Sequence, residues 1–389
     1  MQSFEMQVQA ILEMLKKCYI ERDKNNIANL SALLFQKDCF PIIIGTSNDE
    51  WCFGFEESEE LFISDWEGWG NVSVDVTKAV YAQSGTYGWF YVPAGVEYCF
   101  DDNDDSFAAF MEMSTEIVAT ERTPLSKAGE IIWLLSHLLH SRTPSSRKYK
   151  WDMTISGVLM NRDSVWKIKH MQFSIPVLSA YSDVRMEADP DNIMQYDNEC
   201  KKISGYNAAH TNDMEIVFFE QITKLFDDDN RIRFMSDDIQ RYIGLDGVCR
   251  NGVEQKSYLS TLLVKGVIVR LPIENIIFTR NDNHFSFCGV GVFSRNISMD
   301  SELNEIFENI NHYTIIESKK EGLFNLRRDL SHVIKVASLS SRLTEPFRIE
   351  VVGSLFSENI IMIEYMQVSY PFNCILEQKT DASKLMYIE

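Results

Sequence analysis

The sequence predicts an α+β protein made of two copies of one unit. Each copy sets helices against a curved, mostly antiparallel sheet, and each carries a helix pair inserted between strands. Two observations predict this. A strand–turn–strand stretch occurs twice, as WDMTISGVLMNRDSVWKIKHMQFSIP from Trp151 and as FRIEVVGSLFSENIIMIEYMQVSYP from Phe347. Both close on Met-Gln-x-Ser-x-Pro, so that Met171, Gln172, Ser174 and Pro176 answer to Met366, Gln367, Ser369 and Pro371. Other markers recur in the same order. Gly45 and Gly54 answer to Gly244 and Gly252, and Leu135-Ser136-His137 answers to Leu330-Ser331-His332. Repetition in one order at nearly constant offset marks a duplicated unit.

The elements follow from periodicity. Phe4, Val8, Ile11, Leu12, Leu15 and Tyr19 form a helical stripe, and a shorter helix is expected over 26–34. Phe40 to Ile44 is an apolar β-rich run ended by Gly45, and Thr46 to Glu50 is a polar turn. Gly54-Phe55-Glu56-Glu57 opens a helix whose early carboxylates suit its dipole. Leu61, Phe62, Trp66 and Trp69 make its apolar face. Val72, Val74 and Val76 alternate with polar residues, as in a half-buried strand. An aromatic strand or hairpin follows over 86–100, then the inserted helix pair over 104–141 and the strand pair over 151–176. The predicted organisation is a first domain over 1–180, a linker over 181–212, a second, diverged domain over 213–373 and a tail over 374–389. The linker assignment rests on polar composition, a proline, a glycine and the lack of a sustained period.

Bulk numbers narrow the function classes. The chain has 389 residues, of which 45% are hydrophobic, ample for large cores. The formal net charge of −20 opposes nucleic acid and anionic membrane surfaces as partners. No apolar run reaches the ~20 residues of a membrane span. Eight scattered cysteines form no zinc or redox spacing, which fits a reduced, cytoplasmic chain. No metal or cofactor is expected.

The unit resembles the SnoaL-like branch of the nuclear transport factor 2-like superfamily. Four stretches carry the resemblance: Gly45-Thr46-x-x-Asp49-Glu50-Trp51, Asp65-Trp66-x-x-Trp69-Gly70, Gly157-Val158-Leu159 leading to Trp166-Lys167-Ile168, and His170-Met171-Gln172-Phe173-Ser174-x-Pro176. It covers residues 4–185 and, through the repeat, 213–373. The resemblance implies tandem cone folds, each a curved sheet wrapped around helices with a pocket in its concave side. It also implies pairing through the outer sheet faces. The superfamily holds isomerases, dehydratases and polyketide cyclases beside many members without known chemistry, so the fold does not fix a function. Its enzymes commonly use an inward aspartate on the sheet, and the closing strand here has none.

Candidate site residues come with competing structural readings. Alternation puts Trp166, Ile168, His170, Gln172 and Ser174 on one face of the closing strand, with Lys167, Lys169, Met171 and Phe173 on the other. The first face is expected to line the pocket. His170 is then an acid/base or ligand donor, or a hydrogen-bonded core histidine. Asp65, beside Trp66 and Trp69, is a desolvated base or an anchor for a neighbouring loop. Trp66, Trp69, Trp89 and Gln172 are the expected ligand-binding residues. Asp101-x-Asn103-x-Asp105 mimics a calcium loop but has Ser106 where glycine is needed, so an acidic turn explains it.

Two functions follow. One is a tandem SnoaL-like protein binding a small, largely apolar molecule in the first domain, with cofactor-independent lyase or isomerase chemistry by His170 or Asp65. The other is a non-catalytic scaffold, an intramolecular pseudo-dimer in which Met171 and Phe173 meet Met366 and Val368.

Overall fold

The computed structural model describes residues 3–35, 40–46, 49–68, 71–99, 104–121, 148–175, 190–210, 241–244, 247–251, 268–296, 342–357 and 360–369, with a few positions between 300 and 307. The expected helices over 123–140 and 214–226, the calcium-like turn over 101–103, His137, His140, His332, the side chain of Trp69 and the tail lie outside the described residues.

The chain is α+β. The first half contains α1 (Phe4–Glu21), α2 (Ile27–Leu34), β1 (Ile42–Ile44), β2 (Trp51–Phe53), α3 (Gly54–Gly68), β3 (Asn71–Val74), β4 (Val80–Ser84), β5 (Tyr87–Cys99), α4 (Asp104–Ala119), β6 (Lys148–Arg162) and β7 (Val165–Ser174). After α5 (Pro190–His210) come β8 (Arg241–Ile243), β9 (Cys249–Arg250), β10 (Ile268–Arg270), β11 (Ile276–Asn281), β12 (His284–Asn296), β13 (Arg342–Ser357) and β14 (Ile360–Ser369).

Two seven-stranded sheets result, with one strand order. The first runs β2-β1-β7-β6-β5-β3 with β4 on β5, and the second runs β9-β8-β14-β13-β12-β10 with β11 on β12. Among the described strands each has one parallel pair, at the same place. Ile42 and Ile44 of β1 lie opposite His170 and Gln172, and Arg241 and Ile243 of β8 lie opposite Tyr365 and Gln367. Two sheet units of this form fit tandem domains.

Each long hairpin carries a β-bulge at the same place. Val158 pairs with His170 but Leu159 pairs with Ile168, so Lys169 is the extra residue. Val352 pairs with Tyr365 but Gly353 with Ile363, so Glu364 is its counterpart. A bulge shifts the alternation by one residue. Trp166 and Ile168 therefore share a core with Met171 and Phe173, packed against Phe4, Val8, Leu12 and Leu15 of α1. His170, Gln172 and Ser174 turn to the opposite face. This corrects the simple alternation, which put Trp166 and Ile168 on one face with His170 and set Met171 and Phe173 against the other sheet. Deleting Lys169 restores unbroken alternation with every remaining side chain on its present face. The expected cost is small, about 1–2 kcal/mol in urea unfolding. Complete loss of folded protein would show that the bulge itself shapes the sheet.

The expected linker contains α5, a helix of 21 residues. Tyr196, Cys200, Ile203 and Tyr206 recur at helical spacing and pack with Ile42, Ile44 and Trp51 from the first sheet and Ile277, Cys288 and Val290 from the second. Phe53 and Tyr206 stack with ring centres 5.1 Å apart. Among the described residues no helix is long and apolar enough to cross a membrane.

Candidate functional site

The structure separates the predicted site residues into two places. On β5, Phe90 and Val92 face the core of the first unit, while Trp89 and Tyr91 face outward. Trp66 belongs to the core, and Trp89, His170 and Gln172 belong to the outer face.

In the core, α1 and α3 bring Tyr19 against Asp65. The Tyr19 hydroxyl donates to Asp65 Oδ2 at 2.7 Å, and both residues are buried. Leu61, Phe62 and Trp66 bury the same face of α3, and Phe173 lies edge-on to Tyr19 at 6.2 Å. Burial pushes the Asp65 carboxyl up to about 7. The hydrogen bond from Tyr19 pulls it down, and the nearby Glu50 carboxylate raises it again. Burial also holds the Tyr19 hydroxyl well above the ordinary phenol range, and the charge of Asp65 adds to this. Tyr19 thus remains a donor, while Asp65 can exist in either protonation state near neutrality. The indole N–H of Trp66 is buried without a hydrogen-bond partner among the described residues. Arg22, a left-handed cap at the end of α1, donates to Trp66 O at 3.0 Å and ties the two helices together.

Beside this core, β2, α3 and α5 border an open cleft of about 430 Å³, lined by Glu50, Trp51, Phe53, Glu57, Leu61 and Ser64 among others. Glu57 accepts the Phe53 N–H at 2.7 Å and so occupies part of the free edge of β2. Burial lifts the Cys52 thiol in the same wall to about 12, which leaves it un-ionised and unreactive. No group of three or more metal-ligating side chains is found among the described residues.

On the outer face a set of buried polar residues lies beside an apolar cluster of Trp89, Tyr91, Val158, Val352 and Tyr365 and is hydrogen-bonded to the second sheet. His170 Nδ1 lies 2.6 Å from Glu350 Oε1, with His170 1% exposed and Glu350 fully covered. The Tyr365 hydroxyl reaches Glu350 Oε2 at 3.2 Å and donates to Gln367 Oε1 at 2.9 Å. Gln367 Nε2 donates to Ser174 Oγ at 3.1 Å, and Ser174 meets Thr154. Gln172 Nε2 donates to Ser369 Oγ. Trp89 stacks on Tyr365, with ring centres 4.9 Å apart and planes inclined by 13°. Most of these groups are met, but His170 Nε2, Gln172 Oε1 and Ser156 Oγ are buried without a hydrogen-bond partner among the described residues, and an unpaired group costs about 1–3 kcal/mol.

Glu199 of α5 sits at one end of this face. Its carboxylate accepts from Asp49 N at 2.7 Å, Trp51 Nε1 at 3.1 Å, and Arg348 Nη2 and Nε at 2.7 and 3.4 Å. Arg348 also donates to Gly45 O across from the second sheet. Sequence reasoning missed this cluster, as it missed Tyr19 as the partner of Asp65. The one signal was Glu199 lying between Tyr196 and Ile203 on a helical stripe, since Arg348 alternates with the core residues Phe347 and Ile349 and reads as an outward position of β13.

No family model matches the chain, and no curated protein matches it. Solved structures do. One is an uncharacterised protein with a cystatin-like fold from Caulobacter vibrioides, at 9% identity over 45% of this chain and 90% of that one, TM-score 0.28. Another is a nuclear transport factor 2-like protein of unknown function from Pseudomonas putida, at 7% identity over 46% and 93%, TM-score 0.27. A third is a nuclear transport factor 2-like superfamily protein from Salmonella enterica, at 10% identity over 44% and 96%, TM-score 0.26. Each of these three is similar to less than half of this chain, and the likeness is one of fold.

Proposed function

We propose that the chain is a covalent pseudo-dimer of two nuclear transport factor 2-like units, residues 1–180 and 213–373, whose outer sheet faces are committed to each other. The observation that carries this reading is a reciprocal exchange. Gln172 of β7 donates to Ser369 of β14, and Gln367 of β14 donates to Ser174 of β7. Contact of residue i with j and of the equivalent j with i is the mark of a two-fold interface. His170, Gln172 and Trp89 serve that interface.

The ligand site of this reading is the interior of the first unit, around Asp65, Tyr19 and Trp66, for a small and largely apolar molecule. Asp65 is the group suited to cofactor-independent lyase or isomerase chemistry, because its carboxyl can take or give a proton near neutrality. A buried carboxylate in apolar surroundings and an unpartnered indole N–H support this assignment.

Native mass spectrometry and a thermal-shift screen of small ketones, acids and aromatics test both halves. The full chain is expected to run as a monomer of 45.0 kDa. A stabilising ligand should lose its effect in Asp65→Asn and keep it in His170→Ala, measured against each variant's own ligand-free midpoint. A homodimer would remove the pseudo-dimer. Loss of the ligand effect in His170→Ala alone would move the site to the space between the sheets.

A further inference from the structure

Three polar atoms on the outer face of the first sheet are left over by the contacts with the second. They are Ser156 Oγ, Gln172 Oε1 and His170 Nε2, and each is buried without a hydrogen-bond partner among the described residues. Ser156 and Gln172 are 0% exposed and His170 is 1% exposed. The three are neighbours. Ser156 of β6 stands directly opposite Gln172 of β7, and Val158, the next residue of β6 on this face, stands opposite His170. The three side chains therefore rise from one patch of the sheet toward the second sheet.

The other ends of two of these groups are held. Gln172 Nε2 donates to Ser369, and His170 Nδ1 faces Glu350 Oε1 at 2.6 Å. Turning either group over does not meet the need. A turned amide exchanges an unmet acceptor for an unmet donor, and a turned imidazole leaves its other nitrogen unmet. The second sheet shows the same position satisfied. There the equivalent glutamine, Gln367, is met at both ends, by the Tyr365 hydroxyl at Oε1 and by Ser174 at Nε2. Where Tyr365 stands beside Gln367, the shorter His170 stands beside Gln172 and turns to Glu350. No donor among the described residues reaches Gln172 Oε1.

We infer that Ser156 Oγ, Gln172 Oε1 and His170 Nε2 form a binding site for an ordered internal water in the seam between the two sheets. The ligand must donate to Gln172 Oε1, which only accepts, and must also meet a hydroxyl and an imidazole nitrogen that take either role. Water, both donor and acceptor, does all of this, whereas an anion cannot serve the amide oxygen. The set suits a metal ion poorly, because His170 is its one strong ligand. About three protein partners is the usual number for a buried water. The inference rests on the pseudo-dimer reading above, since the second sheet covers the site.

A crystal structure of the full chain, at a resolution that shows ordered solvent, is the first test. One water peak is expected within about 3 Å of all three atoms. Sheets packed face to face with no peak there, or with a metal ion in its place, would overturn the inference and leave the pseudo-dimer standing. Sheets that do not face each other would instead remove the reading beneath it. Urea unfolding of Ser156→Ala gives an independent sign. If the hydroxyl has no partner at all, its removal relieves a buried polar group, and the unfolding constant should stay level or fall. If the hydroxyl holds the water, its removal costs a hydrogen bond, and the constant should rise roughly fivefold. An alanine variant as stable as the wild type, or more stable, would count against the water.

Discussion

Glu199→Ala is expected to destabilise the protein by about 3–5 kcal/mol, a large share of the stability of a domain. The carboxylate meets four donors from three parts of the chain: the turn before β2, the indole of Trp51 and the guanidinium of Arg348. Alanine would remove both carboxylate contacts of the Arg348 guanidinium, which is 1% exposed and also donates to the Gly45 carbonyl. It would also strand the buried Trp51 N–H. A buried charge robbed of its partner costs far more than the intact pair contributes, because the desolvation remains and the attraction is gone. Urea unfolding measures the loss, and Arg348→Leu in the Glu199→Ala background should recover part of it by removing the buried charge that Glu199 offsets. A loss below about 1 kcal/mol would mean that water reaches the cluster and that α5 does not fasten the sheets.

Asp65→Asn is expected to act in the opposite direction, and only above acidic pH. The Asp65 carboxyl titrates at about 7 in the fold against 3.8 for a free side chain, chiefly through burial. Below pH 3.8 both states are protonated and the group is neutral in effect. Between the two values the unfolded chain releases the proton and the folded chain retains it, so stability falls as pH rises, and above 7 the loss is complete. A shift of this size corresponds to roughly 4 kcal/mol as a ceiling. An amide does not titrate, so the variant should exceed the wild type by about 2–4 kcal/mol at pH 8 and show no advantage at pH 4. Unfolding curves at four pH values decide it, and parallel profiles for the two proteins would refute the burial argument. A residue whose replacement stabilises the fold is retained for something other than stability, which is the pattern expected of a functional group.

Much of the architecture was legible in the sequence because it was written twice. The Met-Gln-x-Ser repeat fixed the ends of β7 and β14, and the helical stripe of α1 and the valines of β3 read directly. Asp65 stood out because Leu61, Phe62 and Trp66 share its side of a helix. Its partner did not, since Tyr19 looks like any other member of an apolar stripe. The facing of His170 was misread for a definite reason. A bulge adds one residue without any glycine or proline to announce it, and Lys169 sits in a run that alternates smoothly on paper. The helix α5 was hidden because its packed stripe sets Tyr196, Glu199, Cys200 and Tyr206 around Ile203, a short mixed pattern within a strongly polar stretch.

The order of the strands along the chain has a consequence for synthesis. Among the described residues the first sheet is complete once β7 has been made, because its last strand pairs with β1 and β6 and no described strand of it comes later. About 200 further residues must be added before β14 exists, which takes some 10–40 s at 5–20 residues per second. During that interval Trp89, Tyr91, His170 and Gln172 have no second sheet to cover them. On a polysome, nascent neighbours carry the same uncovered face at high local concentration. In the pseudo-dimer proposed above, the tether then acts in time as well as space, because once β14 emerges its face is presented at a millimolar effective concentration that outcompetes any neighbouring chain.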